Sequence, residues 1–149
     1  MPAPPAKNTD TRRVFYLTQG IFTGGQALTA CTTGFHMASI WEIDDTTVLR
    51  YDSTLGRTNG DSVPGGPPAV DLGITLDPAT PIGWIRIGVE GSSCQNWTSS
   101  SSADLGYIGV AGVDKTNAVA RFFVNEGFLS CDRTASGVQY NVGVWCVQD

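Results

Sequence analysis

Residues 13–18 read Arg-Val-Phe-Tyr-Leu-Thr, an aromatic and β-branched stretch that predicts a first strand. The period then changes. Thr23 opens a T-x-x-Q capping box with Gln26, and Ala27, Leu28 and Cys31 follow at helical spacing, so a helix is predicted until Gly34 stops it. A short extended piece, 35–38, leads to a second box, Ser39 with Glu42. A second helix is predicted from there to about Arg50, with Ile40, Ile43, Val48 and Leu49 as its apolar positions. Residues 51–81 are dominated by glycine, proline and aspartate, and 60–68 cannot form a regular element. Strands are predicted again at 82–89 around Trp84, at 105–110, at 118–124 and at 142–147, with a serine-rich turn at 99–102. Two early helices followed by several strands predict an α+β domain.

Length and charge narrow the classes. The chain has 149 residues, enough for one domain with a real hydrophobic core. Low charge and 18 glycines fit a strand- and loop-rich fold rather than a helical bundle. The net charge of −5 and only two lysines, Lys7 and Lys115, argue against nucleic acid or polyanion partners. No apolar run approaches a membrane span, so no membrane insertion is expected. Residues 1–11 are proline-rich and are expected to form a flexible arm ahead of a domain at 12–149.

The cysteines, Cys31, Cys94, Cys131 and Cys146, contain no C-x-x-C pair, which excludes close-spaced zinc or thioredoxin-type motifs. An even count at wide spacing suits two disulfides in an oxidising compartment, and three pairings are open. The alternative is a cytosolic protein with four buried thiols. The start, Met-Pro-Ala-Pro-Pro, lacks a basic segment followed by an apolar core, so a secreted protein would need a leader already removed.

Taken in order, four pieces resemble the C-type lectin-like fold. The run from Phe22 through Cys31 to Glu42 resembles that family's first half: an Ala-x-x-x-Cys helix, a glycine, an "LASI"-like piece and a Glu-led second helix. Trp84-Ile85-Arg86-Ile87-Gly88 resembles its central W-I-G-L strand, and Val144-Trp145-Cys146-Val147 its closing strand. The resemblance spans about residues 13–147 with a diverged middle. It implies two helices on a twisted, mostly antiparallel sheet with long loops and nested disulfides, Cys31 with Cys146 and Cys94 with Cys131. The family's calcium-dependent sugar binders carry Glu-Pro-Asn or Gln-Pro-Asp, and Trp-Asn-Asp, none of which occurs here. The resemblance therefore implies a calcium-independent scaffold with no cofactor and no metal. Cys94-Gln95-Asn96-Trp97 and the small residues after it are similar to the endostatin-type branch, but the heparin-binding arginine patch is missing. Bacterial surface and tail-fibre proteins use the fold as a calcium-free binding scaffold. The expectation is a secreted or cell-surface, non-catalytic binding module for a carbohydrate or protein ligand. The alternative is a structural subunit of an extracellular fibre or coat, self-assembled through residues 1–11.

Candidate chemistry is sparse. His36, the only histidine, has Ser39 nearby and suits a general base, but it sits at a packing position. Glu42, Asp44 and Asp45 could pair as glycosidase carboxylates, yet acidic residues in a first helical turn favour the dipole and complete a cap. Asp52, Asp61, Asp71 and Asp77 are spread along the long loop without the spacing of a calcium loop. Asn96-Trp97-Thr98 is a glycosylation sequon. Trp41, Trp84, Trp97 and Trp145 could stack on sugar faces, but Trp84, Trp97 and Trp145 lie in the family's core motifs. The expected contact surface is therefore the loop 52–80, with Asp52, Asp61 and Asp71, joined by Gln139, Tyr140 and Asn141 before the last strand.

Overall fold

The structure, a computed structural model, describes residues 10–58, 67–71, 77–88, 92–114 and 119–149. It is an α+β fold whose core is mostly sheet, with a few short helices and two disulfides. In chain order the elements are β1 (Arg13–Leu17), β2 (Phe35–Met37), α1 (Ile40–Ile43), β3 (Leu49–Tyr51), β4 (Ala69–Asp71), β5 (Ile82–Trp84), α2 (Cys94–Trp97), β6 (Leu105–Asp114), β7 (Val119–Ser130), β8 (Thr134–Ala135), β9 (Val138–Gln139) and β10 (Val142–Gln148). Two 3-10 segments, Gly24–Thr29 and Thr46–Val48, precede β2 and β3.

The main sheet runs β3-β1-β10-β5-β6-β4, with β2 also on β10 and β7 also on β6. Its pairings are mixed. β1 with β10, β2 with β10, β5 with β6 and β6 with β7 are antiparallel. β1 with β3, β5 with β10 and β4 with β6 are parallel. β10 is the spine. It pairs with β5 through Val142 to Val144, and with β1 and β2 through its second half. Every residue from Val142 to Val147 is buried, which explains the unbroken apolar run there: a strand covered on both faces has no polar side to alternate with. Trp145 and Trp84 are fully enclosed, and each indole N–H finds a carbonyl, Gly109 O at 2.8 Å and Phe22 O at 2.8 Å.

Both helices expected from the sequence are shorter in the structure. The first is the 3-10 segment Gly24–Thr29. Gly24 donates to Cys131 O at 2.8 Å, and a Cβ at Gly24 would run into the Cys94 sulfur, so the chain is pulled tight against the Cys94–Cys131 bridge. The second ends at Ile43 after one turn. Asp44, Asp45, Thr46 and Thr47 are poor helix formers, and Asp45 accepts from the Thr47 N–H at 3.0 Å and its hydroxyl at 2.6 Å. Residues 49–51 are then captured by β1 as a parallel strand instead of extending the helix. Of the predicted strand at 82–89 only Ile82–Trp84 forms among the described residues; the predicted strands at 105–110 and 118–124 appear as β6 and β7, longer than expected and paired antiparallel.

The disulfides are nested, Cys31–Cys146 around Cys94–Cys131, with Cα separations of 5.8 and 5.7 Å. The inner one anchors an unusual element. All four residues of α2 have positive φ, at 49°, 54°, 57° and 63°, so its single turn is wound left-handed. Such a backbone costs about 1–2 kcal/mol per non-glycine residue. Trp97, buried against Trp84 at a 5.9 Å centroid separation, and the Cys94 bridge offset that cost. The Trp97 N–H to Ser93 O and Thr98 N–H to Cys94 O hydrogen bonds, at 2.6 and 3.0 Å, close the turn.

Residues 1–9 of the expected arm lie outside the described residues. Asp10, at its end, is held by Arg12 at 2.8 Å and Arg50 at 3.7 Å. Among the described residues, no helix is long and apolar enough to cross a membrane.

Candidate functional site

The one-turn helix α1 exposes an indole. Ile40 and Ile43, three apart, turn toward the core, with Ile43 fully buried. Glu42 bends back so that its Oε1 accepts from the Ser39 N–H at 3.0 Å. Trp41, between them, is left facing outward at 79% exposure, the most exposed large apolar side chain among the described residues. Beside it lies a groove of about 460 Å³. Leu28, half exposed on the first 3-10 segment, forms part of its wall, and buried Trp97 part of its floor. Ser39, Arg86, Ser92, Ser93 and Asn96 supply the polar lining. The left-handed turn thus does two things: it sends Trp97 inward and leaves Asn96 exposed at the groove.

Arg86 is pre-positioned. Its Nε donates to Met37 O at 2.9 Å, and its terminal nitrogen is 3.6 Å from Glu42 Oε1. Its backbone donates to Ala38 O and accepts from the Ile40 N–H, at 3.0 and 2.7 Å, tying the strand end to the start of α1.

Behind the groove, Glu42 is the hub of an ion-pair network. Its Oε2 lies 2.7 Å from His36 Nε2 and 3.3 Å from an Arg13 nitrogen. His36 Nδ1 lies 2.7 Å from Asp149 Oδ1. Each ring nitrogen thus faces a carboxylate oxygen. The Ser39 hydroxyl donates to Glu42 Oε1 at 3.0 Å and not to His36, so the serine–histidine pairing weighed from the sequence does not form.

Burial alone would raise the Glu42 carboxyl. Hydrogen bonds from the Ser39 N–H, from His36 and from the Ser39 hydroxyl, with the His36 charge, outweigh it and bring the group from 4.5 to about 2. A depressed carboxyl contributes stability that is complete above the unfolded value and is lost as pH falls through the folded one. The Glu42 contribution should therefore fade between pH 4.5 and about 2. Thermal melts across this window should show a shallower acid loss for Glu42→Gln than for wild type. Parallel curves for the two proteins would contradict the network's role.

Of the described residues expected to form the contact surface, none lines the Trp41 groove. Asp52 Oδ1 accepts from the Thr54 and Leu55 N–H groups, both at 2.9 Å, and so builds a turn. Asp61 lies outside the described residues. Asp71 ends β4. Gln139 is exposed in β9, and Tyr140 is half-buried against the core. Asn141 is exposed; its N–H bonds to Pro78 O at 3.0 Å, and its carbonyl accepts from Arg57 at 3.1 Å. Asn141 therefore supports Arg57, and Asp52 shapes the turn that precedes it in the chain. Trp41 and Arg86, which line the groove, were not among the residues expected to form the contact surface. The signal for Trp41 was present: it is the tryptophan outside the core motifs, in a capping box whose apolar positions are its neighbours.

No family model matches the chain, and no curated protein or solved structure proves similar to it.

Proposed function

We propose that this chain is an extracellular, non-catalytic binding module with a C-type lectin-like fold that holds a glycan in the Trp41 groove without calcium. The fold reading is supported by the short helices beside a mostly sheet core and by the nested disulfides. The disulfides are compatible with an extracellular location. The glycan reading is carried by one observation, the outward indole of Trp41 on a groove lined by Ser, Asn and Arg side chains. An indole face covers the C–H face of a sugar ring, while the polar groups take its hydroxyls. The groove volume of about 460 Å³ falls within the range of small-ligand sites, about 300–1,000 Å³.

The test is a glycan array on the full chain, followed by titration of the best binder against Trp41→Ala. Losing the stacked indole should remove about 1.5–3 kcal/mol, a complex roughly 10- to 150-fold weaker. The melt should stay within about 0.5 kcal/mol of wild type, because the side chain is exposed. Unchanged affinity would remove the groove from the reading. A chelator should leave binding unaltered. A large assembly lost on deleting residues 1–11 would instead favour the structural subunit.

A further inference from the structure

A second cleft, of about 430 Å³, lies at the other end of β5. Pro81, which leads into β5, belongs to it, whereas Arg86 and Gly88, which follow β5, belong to the Trp41 groove. Ser53, Arg57 and Thr58 are its polar groups of interest.

Arg57 is held in place from several sides. Its N–H donates to Leu17 O at 2.9 Å, and the Tyr51 hydroxyl donates to its carbonyl. Among the described residues its guanidinium bonds only to backbone: Nε to Thr18 O at 2.8 Å, one terminal nitrogen to Asn141 O at 3.1 Å and the other to Gly20 O at 3.4 Å. Those three bonds leave, among the described residues, one N–H donor unused on each terminal nitrogen, since a guanidinium has five. Among the described residues no carboxylate lies within ion-pair distance of Arg57, while Arg12, Arg13, Arg50 and Arg86 each have one. Burial pulls the Arg57 guanidinium below its ordinary value, as expected for a desolvated cation without a counter-charge. On the rim, the exposed Ser53 and Thr58 hydroxyls have no protein partner among the described residues.

This is a preorganised cation with two spare donors, facing a cleft with free hydroxyls, in a chain whose net charge is −5. A carboxylate offers two coplanar acceptors that suit a guanidinium fork, and its charge supplies the missing partner. We propose that this cleft binds the carboxylate of an acidic sugar, a hexuronate in its simplest form, with Arg57 on the carboxylate and Ser53 and Thr58 on ring hydroxyls. The site is separate from the Trp41 groove and does not depend on it.

The experiment follows the Arg57 Nε–H resonance of the ¹⁵N-labelled full chain. Sodium glucuronate is titrated against its neutral methyl ester, glucose and sulfate. Glucuronate should shift the resonance saturably, and more weakly as NaCl is added. The ester and glucose should bind at least about tenfold more weakly, the loss of one charge-assisted contact. Arg57→Lys, which keeps the charge but not the fork, should also lose about tenfold. Thr58→Val should weaken binding several-fold with an unchanged melt, and it decides the matter if Arg57→Lys does not fold. An ester that binds as well as glucuronate overturns the proposal. So does sulfate acting as strongly as glucuronate, since the cleft then takes bare anions. Absence of a saturable shift overturns it too, and leaves Arg57 as a clip between chain segments.

Discussion

Replacing Cys31 and Cys146 together by alanine is expected to lower the unfolding free energy by about 4–5 kcal/mol. Replacing Cys94 and Cys131 should cost about 4 kcal/mol. The figures follow from loop closure in the unfolded chain, which grows slowly with loop length; the separations are 115 and 37 residues. The outer bridge closes the longer loop, so it should contribute more even though the strands it joins are already hydrogen-bonded. Cys146 stands opposite Tyr16 on β1 and Met37 on β2, so the native register has its own support without the sulfur link. Urea unfolding checks this. The m-value should rise in both variants, because an uncrosslinked unfolded chain exposes more surface. An outer-bridge variant within about 1 kcal/mol of wild type would refute the entropic account.

Trp84→Ala is expected to cost about 3–5 kcal/mol, the usual range for emptying a large aromatic site in a core. Trp84 is fully buried, and its ring packs edge-on against Trp97. A Cβ on Gly106 would lie 2.9 Å from the Trp84 ring and 2.5 Å from the Cys94 sulfur, so the indole, the inner disulfide and β6 meet with no spare room. The mutation also takes the N–H donor from the Phe22 carbonyl. Trp84→Phe keeps most of the packing and should cost less, with the lost hydrogen bond near 1 kcal/mol. Because Trp97 helps hold the left-handed turn, Trp84→Ala should also change the near-ultraviolet circular dichroism of the remaining tryptophans. A variant that melts like wild type would refute the core assignment of β5.

The two large effects fall on features that the sequence announced, while the candidate sites were mostly hidden in it. The sheet was legible at residues 13–17, 82–84 and 142–147, because strands buried on both faces leave continuous apolar runs. Both capping boxes were legible too: Gln26 accepts from the Thr23 N–H at 3.0 Å, and Glu42 does the same for Ser39. Helix length was not legible. A cap starts a helix, but continuation past Ile43 competed with the Asp45 turn and with β1 pairing to Leu49–Tyr51, and the pairing won. Arg57 carried no motif at all. Its partners, Thr18, Gly20 and Asn141, are remote in the chain and are reached through backbone carbonyls, which any residue supplies. Asp52 also has a local role that spacing alone did not reveal: its carboxylate accepts two N–H groups that follow it within reach.

By itself the sequence determined what depends on neighbours: the buried strands, the caps, the acidic low-lysine character and the absence of the calcium-site tripeptides. The tertiary structure decided what depends on convergence. It turned Trp41 outward by using Ile40 and Ile43 inward, wound residues 94–97 left-handed by anchoring Cys94 and Trp97, and brought three distant carbonyls around Arg57. The physical reason is range. Propensity, patterning and capping act over a few residues, whereas exposure, strain and charge compensation are set by which segments pack together.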